Sequence, residues 1–267
     1  MTDILIPASG DFDAWPRRHA CCLAVDWDGT CKDTMTAKWQ HGFNLAITRS
    51  WPALEPYQAE IDEVCRRVNM IDEATAGVQR FVALTIMMER WAARGLPVAD
   101  LSAFARAVAD VDARGDRHGT ATYRRLQAAY GYDDAPLRWS DLSDELIARS
   151  ARDAVVFDGC REALTGMRDR ADRIVVSASK TDAVRDDLRR DGMADLFDAL
   201  LAQDFLPKHG TLAGLAGKYD RVLFIGDTPG DARAADDAGV DFYRIRTGRE
   251  PASWAAAPAV FGAFVEG

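Results

Sequence analysis

The sequence predicts an α/β fold: a Rossmann-like parallel sheet flanked by helices, with an all-helical cap domain inserted after the first core strand. Three observations carry this. Leu23-Ala24-Val25 is an apolar run of the kind a buried parallel strand shows, and it stands alone near the N-terminus. The next roughly 120 residues carry helix patterns and no strand. From about Val155 onward, short apolar runs alternate with helix patterns, which implies a parallel, helix-flanked sheet. The expected domains are therefore a core of residues 1–33 and 155–267 and a helical insert of residues 34–154.

Residues before Cys21 read as a partly ordered lead-in, with Pro7, Ser9-Gly10 and Pro16 as breakers. In the insert, helices are expected over about Thr36–Ser50, stopping before Pro52, and over about Tyr57–Met70. A long helix is expected over about Glu73–Arg94, ending at Gly95. Shorter helices are expected near Ala99–Ala113, Thr120–Tyr130 and Asp141–Ser150. In the second half, a helix near Cys160–Arg170 leads to a strand at Arg173–Ser177. A helix near Thr181–Asp191 leads to a weak strand at Ala199–Leu201. Arg221–Ile225 is a strong strand, followed by a helix ending about Gly239 and a last strand at Phe242–Ile245.

The chain has 267 residues, 48% of them hydrophobic and 28% charged, which are globular values. A formal net charge of −9 argues against non-specific nucleic-acid or anionic-membrane binding. It leaves room for a phosphorylated substrate, because a metal and one or two cations reverse the sign locally. The five cysteines form no C-x-x-C pair and read as structural thiols of a reduced, cytoplasmic protein; Cys31, beside the acidic turn, reads as core packing. The first 20 residues carry no long apolar run and do not read as a signal peptide, and no stretch approaches membrane-spanning length.

The chemistry is expected at the strand ends, where open α/β sheets bind ligands. Asp26 and Asp28 follow the first apolar run two residues apart, which on an extended backbone puts them on one side and Trp27 on the other. Gly29 then permits a sharp turn. The second strand ends at Ser177. The fourth ends at Asp227, with Asp231 one helical turn on. Lys208 lies between them in a Leu206-Pro207-Lys208-His209-Gly210 loop. Carboxylates gathered at strand ends need a hard cation, and all-oxygen ligation suits Mg²⁺. A hydroxyl and an ammonium at the same edge suit phosphoryl oxygens.

D-W-D-G-T, a strand ending in Ser, a Lys and then G-D-T-P-G-D together resemble the four-motif signature of the haloacid dehalogenase superfamily. Their order is similar to that of its phosphatase branch, in which a helical cap follows the first motif (the phosphoglycolate phosphatase and β-phosphoglucomutase type). The resemblance covers about Cys21–Asp33 and Val155–Ile245. It implies a Mg²⁺-dependent phosphomonoester hydrolase acting on a small phosphorylated metabolite. Asp26 would be the nucleophile, forming an aspartyl-phosphate. Asp28 would protonate the leaving oxygen and then deprotonate water. Ser177 would hydrogen-bond a phosphate oxygen and Lys208 would neutralise charge. Asp26, the Asp28 main-chain carbonyl and Asp227 would hold Mg²⁺, and Asp231 would support its water shell or orient Lys208.

Other readings stand beside these. Ser177 could cap its strand end. Lys180, at a helix start after Ser177, rivals Lys208, whereas Lys218 reads as a helix end. Asp236 and Asp237 read as a solvated face. Arg117-His118-Gly119 and Arg124-Arg125 read as salt-bridged surface rather than substrate contacts. His41 and His209 lack zinc-ligand spacing. A phosphomutase of the β-phosphoglucomutase type would keep every core motif, and a non-catalytic phosphate-binding module is the alternative outside enzymes. The two connections near Asp33 and Val155–Gly159 have the geometry of a hinged lid.

Overall fold

Strand β1 (Cys21–Val25) is the centre of the sheet. It is followed in the chain by β2 (Asp172–Val176), β3 (Ala199–Leu201), β4 (Arg221–Gly226) and β5 (Asp241–Arg244). The five strands lie in the order β3-β2-β1-β4-β5, and every pair is parallel. Val25 is level with Val175 on one side and Ile225 on the other, so the three strands end within one residue of one another. This is a computed structural model, and it describes residues 3–76, 78–116, 118–150 and 154–267. By its contacts the chain divides into two units, Met1–Thr34 with Val155–Gly267, and Met35–Ala154.

The second unit is helical. A helical run passes through α1 (Thr34–Thr36), a π-helical turn over Ala37–Phe43 and α2 (Asn44–Ser50). Then come α3 (Gln58–Arg66), α4 (Arg80–Ala93), α5 (Ser102–Ala113), α6 (Thr120–Tyr130) and α7 (Ala135–Ser150). Phe81, Phe104, Tyr123 and Trp139 pack edge-on or tilted in its core. Two helix starts differ from expectation, for reasons of capping. Helix α4 starts at Arg80 rather than Glu73, because the Gln79 side chain accepts the Phe81 N–H. Helix α7 starts six residues before Asp141, where the Asp133 carboxylate accepts the Ala135 N–H.

The first unit adds α8 (Cys160–Thr165), α9 (Thr181–Arg190), α10 (Lys208–Lys218), α11 (Pro229–Ala238) and α12 (Glu250–Glu266). They cover both faces of the sheet. On one face Leu23 and Val25 share a core with Leu164, Leu188 and Trp254, from α8, α9 and α12. On the other, Cys22 and Ala24 share a core with Leu212, Leu215 and Ala235, from α10 and α11. Burial on both faces is why β1 reads as an unbroken apolar run. Helix α12 is not among the expected elements. Its Ala-rich text, interrupted by Pro258, dilutes a pattern that does exist: Trp254, Ala257, Phe261 and Phe264 are buried at helical spacing.

The segment before Cys21, expected as a partly ordered lead-in, is anchored on the core at several of its described residues. Leu5 accepts the Leu200 N–H at 2.9 Å, beside the edge strand β3. Trp15 is buried, and its indole Nε1–H donates to the Tyr219 hydroxyl at 3.0 Å. Phe12 lies where a Gly214 Cβ would stand, so the glycine makes room for the ring. These contacts are single anchors without periodicity, which is why pattern reading passes over them. Truncating Trp15 to Ala should cost about 3–5 kcal/mol, the range for losing a large buried aromatic. Urea unfolding would measure it, and an unchanged midpoint would show that this segment contributes nothing to the core.

Candidate active site

Backbone turns at three strand ends build the site. Strand β1 stops at Val25, and the chain turns through Gly29, whose φ of 74° is the left-handed conformation that glycine adopts freely. Strand β4 ends at Gly226 and delivers Asp227. Helix α11 then starts with Thr228 as its cap: the Thr228 hydroxyl accepts the Asp231 N–H, and the Asp231 carboxylate accepts the Thr228 N–H. This capping box fixes the Asp231 rotamer toward β4. A Cβ on Gly226 would stand 2.6 Å from the Asp231 Cβ, so only glycine lets that carboxylate in. Lys208 comes from the first turn of α10, directly after Pro207, rather than from a loop.

The result is three buried carboxylates around one ammonium. Lys208 Nζ lies 2.6 Å from Asp231 Oδ1 and 3.1 Å from Asp26 Oδ1. Thr30 Oγ1 donates to Asp227 Oδ1 at 3.0 Å. Oxygens of Asp26, Asp227 and Asp231 lie within 4.8 Å of one another, the one such cluster among the described residues. Burial pushes the Asp26 carboxyl up to about 7 against the pull of Lys208, with Asp231 and Asp28 adding to the rise. Burial likewise pushes Asp227 well above the carboxylate range, helped by Asp231 and Asp26. At Asp231, burial is outweighed by Lys208 and the Thr228 hydrogen bonds, and its carboxyl is lowered. At Lys208, burial is outweighed by Asp231 and Asp26, and the ammonium is held above its ordinary value.

One lysine does not balance three buried acids, and Asp26 and Asp227 respond by favouring their protons. That deficit, with an all-oxygen donor set, fits a hard divalent cation such as Mg²⁺.

Asp28 is placed differently from its neighbour. It accepts from Thr34 Oγ1 at 2.5 Å and from the Ser179 hydroxyl, and its carboxylate is not in the three-acid cluster. The strand alternation that would put both acids on one side ends at Val25. Trp27 is fully buried against Phe197 in the core. Ser177 directly follows β2; its amide donates to Leu201, and its hydroxyl accepts the Ser179 N–H at 3.1 Å. Lys180 is exposed at the cap position of α9, so Lys208 and not Lys180 faces the acids.

Lys218 ends α10 and donates to the carbonyls of Phe12 and Trp15. Asp236 and Asp237 are exposed. In the helical unit His118 bonds Tyr123 and Asp112, and Arg124 pairs with Asp141. Arg117 lies outside the described residues. All five cysteines are buried and unpaired, Cys31 included. Among the described residues no helix is long and apolar enough to cross a membrane.

Sequence reading missed three supporting residues: Thr30, which bonds Asp227; Trp254, whose Nε1–H holds the Thr30 carbonyl at 2.8 Å; and Ser179. Thr30 is the last residue of the D-W-D-G-T motif, whereas Ser179 lies between Ser177 and Lys180 and belongs to no motif. Trp254 is more than 200 residues from its partner and carried no signal.

No protein-family model and no curated protein matches the sequence. Solved structures do match it in fold. A haloacid dehalogenase-like protein of unknown function from Agrobacterium tumefaciens superposes with a TM-score of 0.54 at 16% identity, over 92% of this chain and 98% of that one. A structure assigned as a haloacid dehalogenase-like hydrolase from Bacteroides fragilis gives 0.53 at 17% identity, over 88% and 93%. One assigned as a phosphoglycolate phosphatase from Lactobacillus delbrueckii gives 0.50 at 14%, over 85% of each chain. The chain has the haloacid dehalogenase-like fold.

The raised acids predict a pH dependence. Without divalent metal, folded Asp26 and Asp227 hold protons above the unfolded carboxylate value near 3.9, so stability falls as pH rises from there, for Asp26 through about 7. Asp231 has the opposite sign, and its contribution is already complete above the unfolded value. In a metal-free buffer Asp26→Asn should therefore melt higher than the unchanged protein at pH 8, with a smaller gap at pH 5. A gap independent of pH would contradict the assignment.

Proposed function

We propose that the protein is a Mg²⁺-dependent phosphomonoester hydrolase acting on a small phosphorylated metabolite through an aspartyl-phosphate. The observation that carries the proposal is the convergence of Asp26, Asp227 and Asp231 on one buried spot with Lys208 against two of them. The haloacid dehalogenase-like fold is compatible with it, and hydrolases and a phosphatase are among the proteins assigned to similar structures.

Asp26, Asp227 and the Asp28 main-chain carbonyl would hold Mg²⁺, with Asp231 supporting it. When bound, the ion cancels the charge that otherwise keeps a carboxylate and a phosphate dianion apart. Lys208 keeps Asp26 oriented and adds a positive charge where the transferring group gains negative charge. An Asp26 oxygen attacks phosphorus; the new O–P bond forms as the bond to the leaving oxygen breaks. Asp28 gives its proton to that oxygen. It then takes a proton from water, which attacks the phosphorus, releases phosphate and frees Asp26. Ser177, with its oxygen engaged by Ser179 N–H, keeps its hydroxyl proton for a phosphate oxygen. The helical unit, residues 35–154, is proposed as the cap domain. A cytoplasmic setting suits five unpaired cysteines.

Phosphate release from an aryl phosphate should require Mg²⁺ and be abolished by Asp26→Asn. Asp28→Asn should lower kcat on alkyl phosphates by about 10²–10⁴, the usual contribution of a general acid–base. Release that is unaffected by either substitution would end the reading. Faster isomerisation of a sugar phosphate than release of phosphate would move it to a mutase.

A further inference from the structure

Lys32 is the one lysine among the described residues with no exposure at all. It sits four residues beyond Asp28, and nothing in the proposed chemistry uses it. Its ammonium lies 3.2 Å from Asp187 Oδ1 and 2.7 Å from Asp191 Oδ2, at the C-terminal end of α9. Arg190 also reaches Asp187, at 2.6 Å, so two cations meet two carboxylates. A fully buried ammonium paired with half-buried carboxylates is costly to desolvate and contributes little stability over an apolar replacement. Its expected return is a defined geometry.

That geometry leads back to Asp28. The Lys32 main chain closes the acidic turn: Gly29 N–H donates to the Lys32 carbonyl at 2.9 Å, and Lys32 N–H donates to the Trp27 carbonyl at 3.2 Å. Asp28 lies inside this closed turn. The segment also pairs with the returning chain, through Phe157 N–H to the Cys31 carbonyl and Asp33 N–H to the Val155 carbonyl, both at 2.9 Å. Meanwhile the Asp28 carboxylate is held by Ser179, two residues before the start of α9. The same helix therefore holds the Asp28 turn twice, by Ser179 at its N-terminal end and by Asp187 and Asp191 at its C-terminal end. The buried Val184 and Leu188 fix α9 to the sheet between these points.

We propose that Lys32 is a positioning residue for Asp28: its ion pairs with α9 set the turn so that the Asp28 carboxylate meets Ser179 and points at the leaving oxygen. The proposal rests on the hydrolase reading for what Asp28 does, but not for how Asp28 is held. Lys32→Met alone would strand the Asp191 charge, so the test uses Lys32→Met/Asp191→Asn, which leaves the Asp187–Arg190 pair intact.

Two measurements decide it. In a crystal structure of the double variant, the Asp28–Ser179 hydrogen bond should be lost or the Asp28 turn displaced; an unchanged bond overturns the proposal. In kinetics, kcat/KM should fall about 10- to 100-fold on an alkyl phosphate, whose leaving oxygen needs a proton, as expected for a misplaced catalytic group. On a nitrophenyl phosphate, whose leaving group needs none, it should fall less than about threefold, because Asp28 protonation is not used there. Equal losses on both substrates mark a purely structural residue and overturn the proposal. If the unaltered protein hydrolyses neither substrate, the hydrolase reading fails, and the crystallographic comparison still decides the role of Lys32.

Discussion

Burial of three neighbouring carboxylates, sharpened by their mutual repulsion, governs the candidate site of this protein. Asp26, Asp227 and Asp231 lie within a few ångströms of one another, shielded from water, with Lys208 paired to Asp26 and Asp231. Such a group is unfavourable unless charge is supplied or protons are retained. The protein divides the burden unevenly. Asp231 takes the lysine and a helix cap, and its carboxyl is lowered; the carboxyls of Asp26 and Asp227 are pushed up. The two acids with the most to gain from a second cation thus come from adjacent strands, β1 and β4, whose ends are level.

The surrounding structure keeps the acids from relieving themselves by moving apart. Gly226 leaves the space that the Asp231 side chain fills, and the Thr228 capping box locks it there. Thr30 holds Asp227 and is itself held through its carbonyl by Trp254 of α12. Asp28 stands apart, between two hydroxyls on a turn anchored to α9. Two acids close in sequence thereby receive different surroundings, one in the buried cluster and one outside it.

Much of this was legible in the sequence because it is local. The run Leu23–Val25, the acids after it and the turn at Gly29 are one short motif, and Arg221–Asp231 is another; both fold as their text indicates. The place of Lys208 at a helix start is not legible, because Pro207 reads equally as a loop residue and as a helix opener. What stayed hidden is long-range. Trp254 against Thr30, Trp15 against Tyr219 and Lys32 against Asp191 join residues whose separation in the chain leaves no periodic trace. The start of α4 was misplaced because a glutamine cap, Gln79, is a weaker signal than the apolar spacing that runs past it.

A divalent cation bound by the acid cluster would be located by soaking crystals in Mn²⁺, whose anomalous signal marks its position. The expected result is a single strong peak within about 2.0–2.3 Å of carboxylate oxygens from both Asp26 and Asp227, the range for a small hard cation. A map with no peak between those two side chains, at Mn²⁺ concentrations that fill ordinary Mg²⁺ sites, would contradict it.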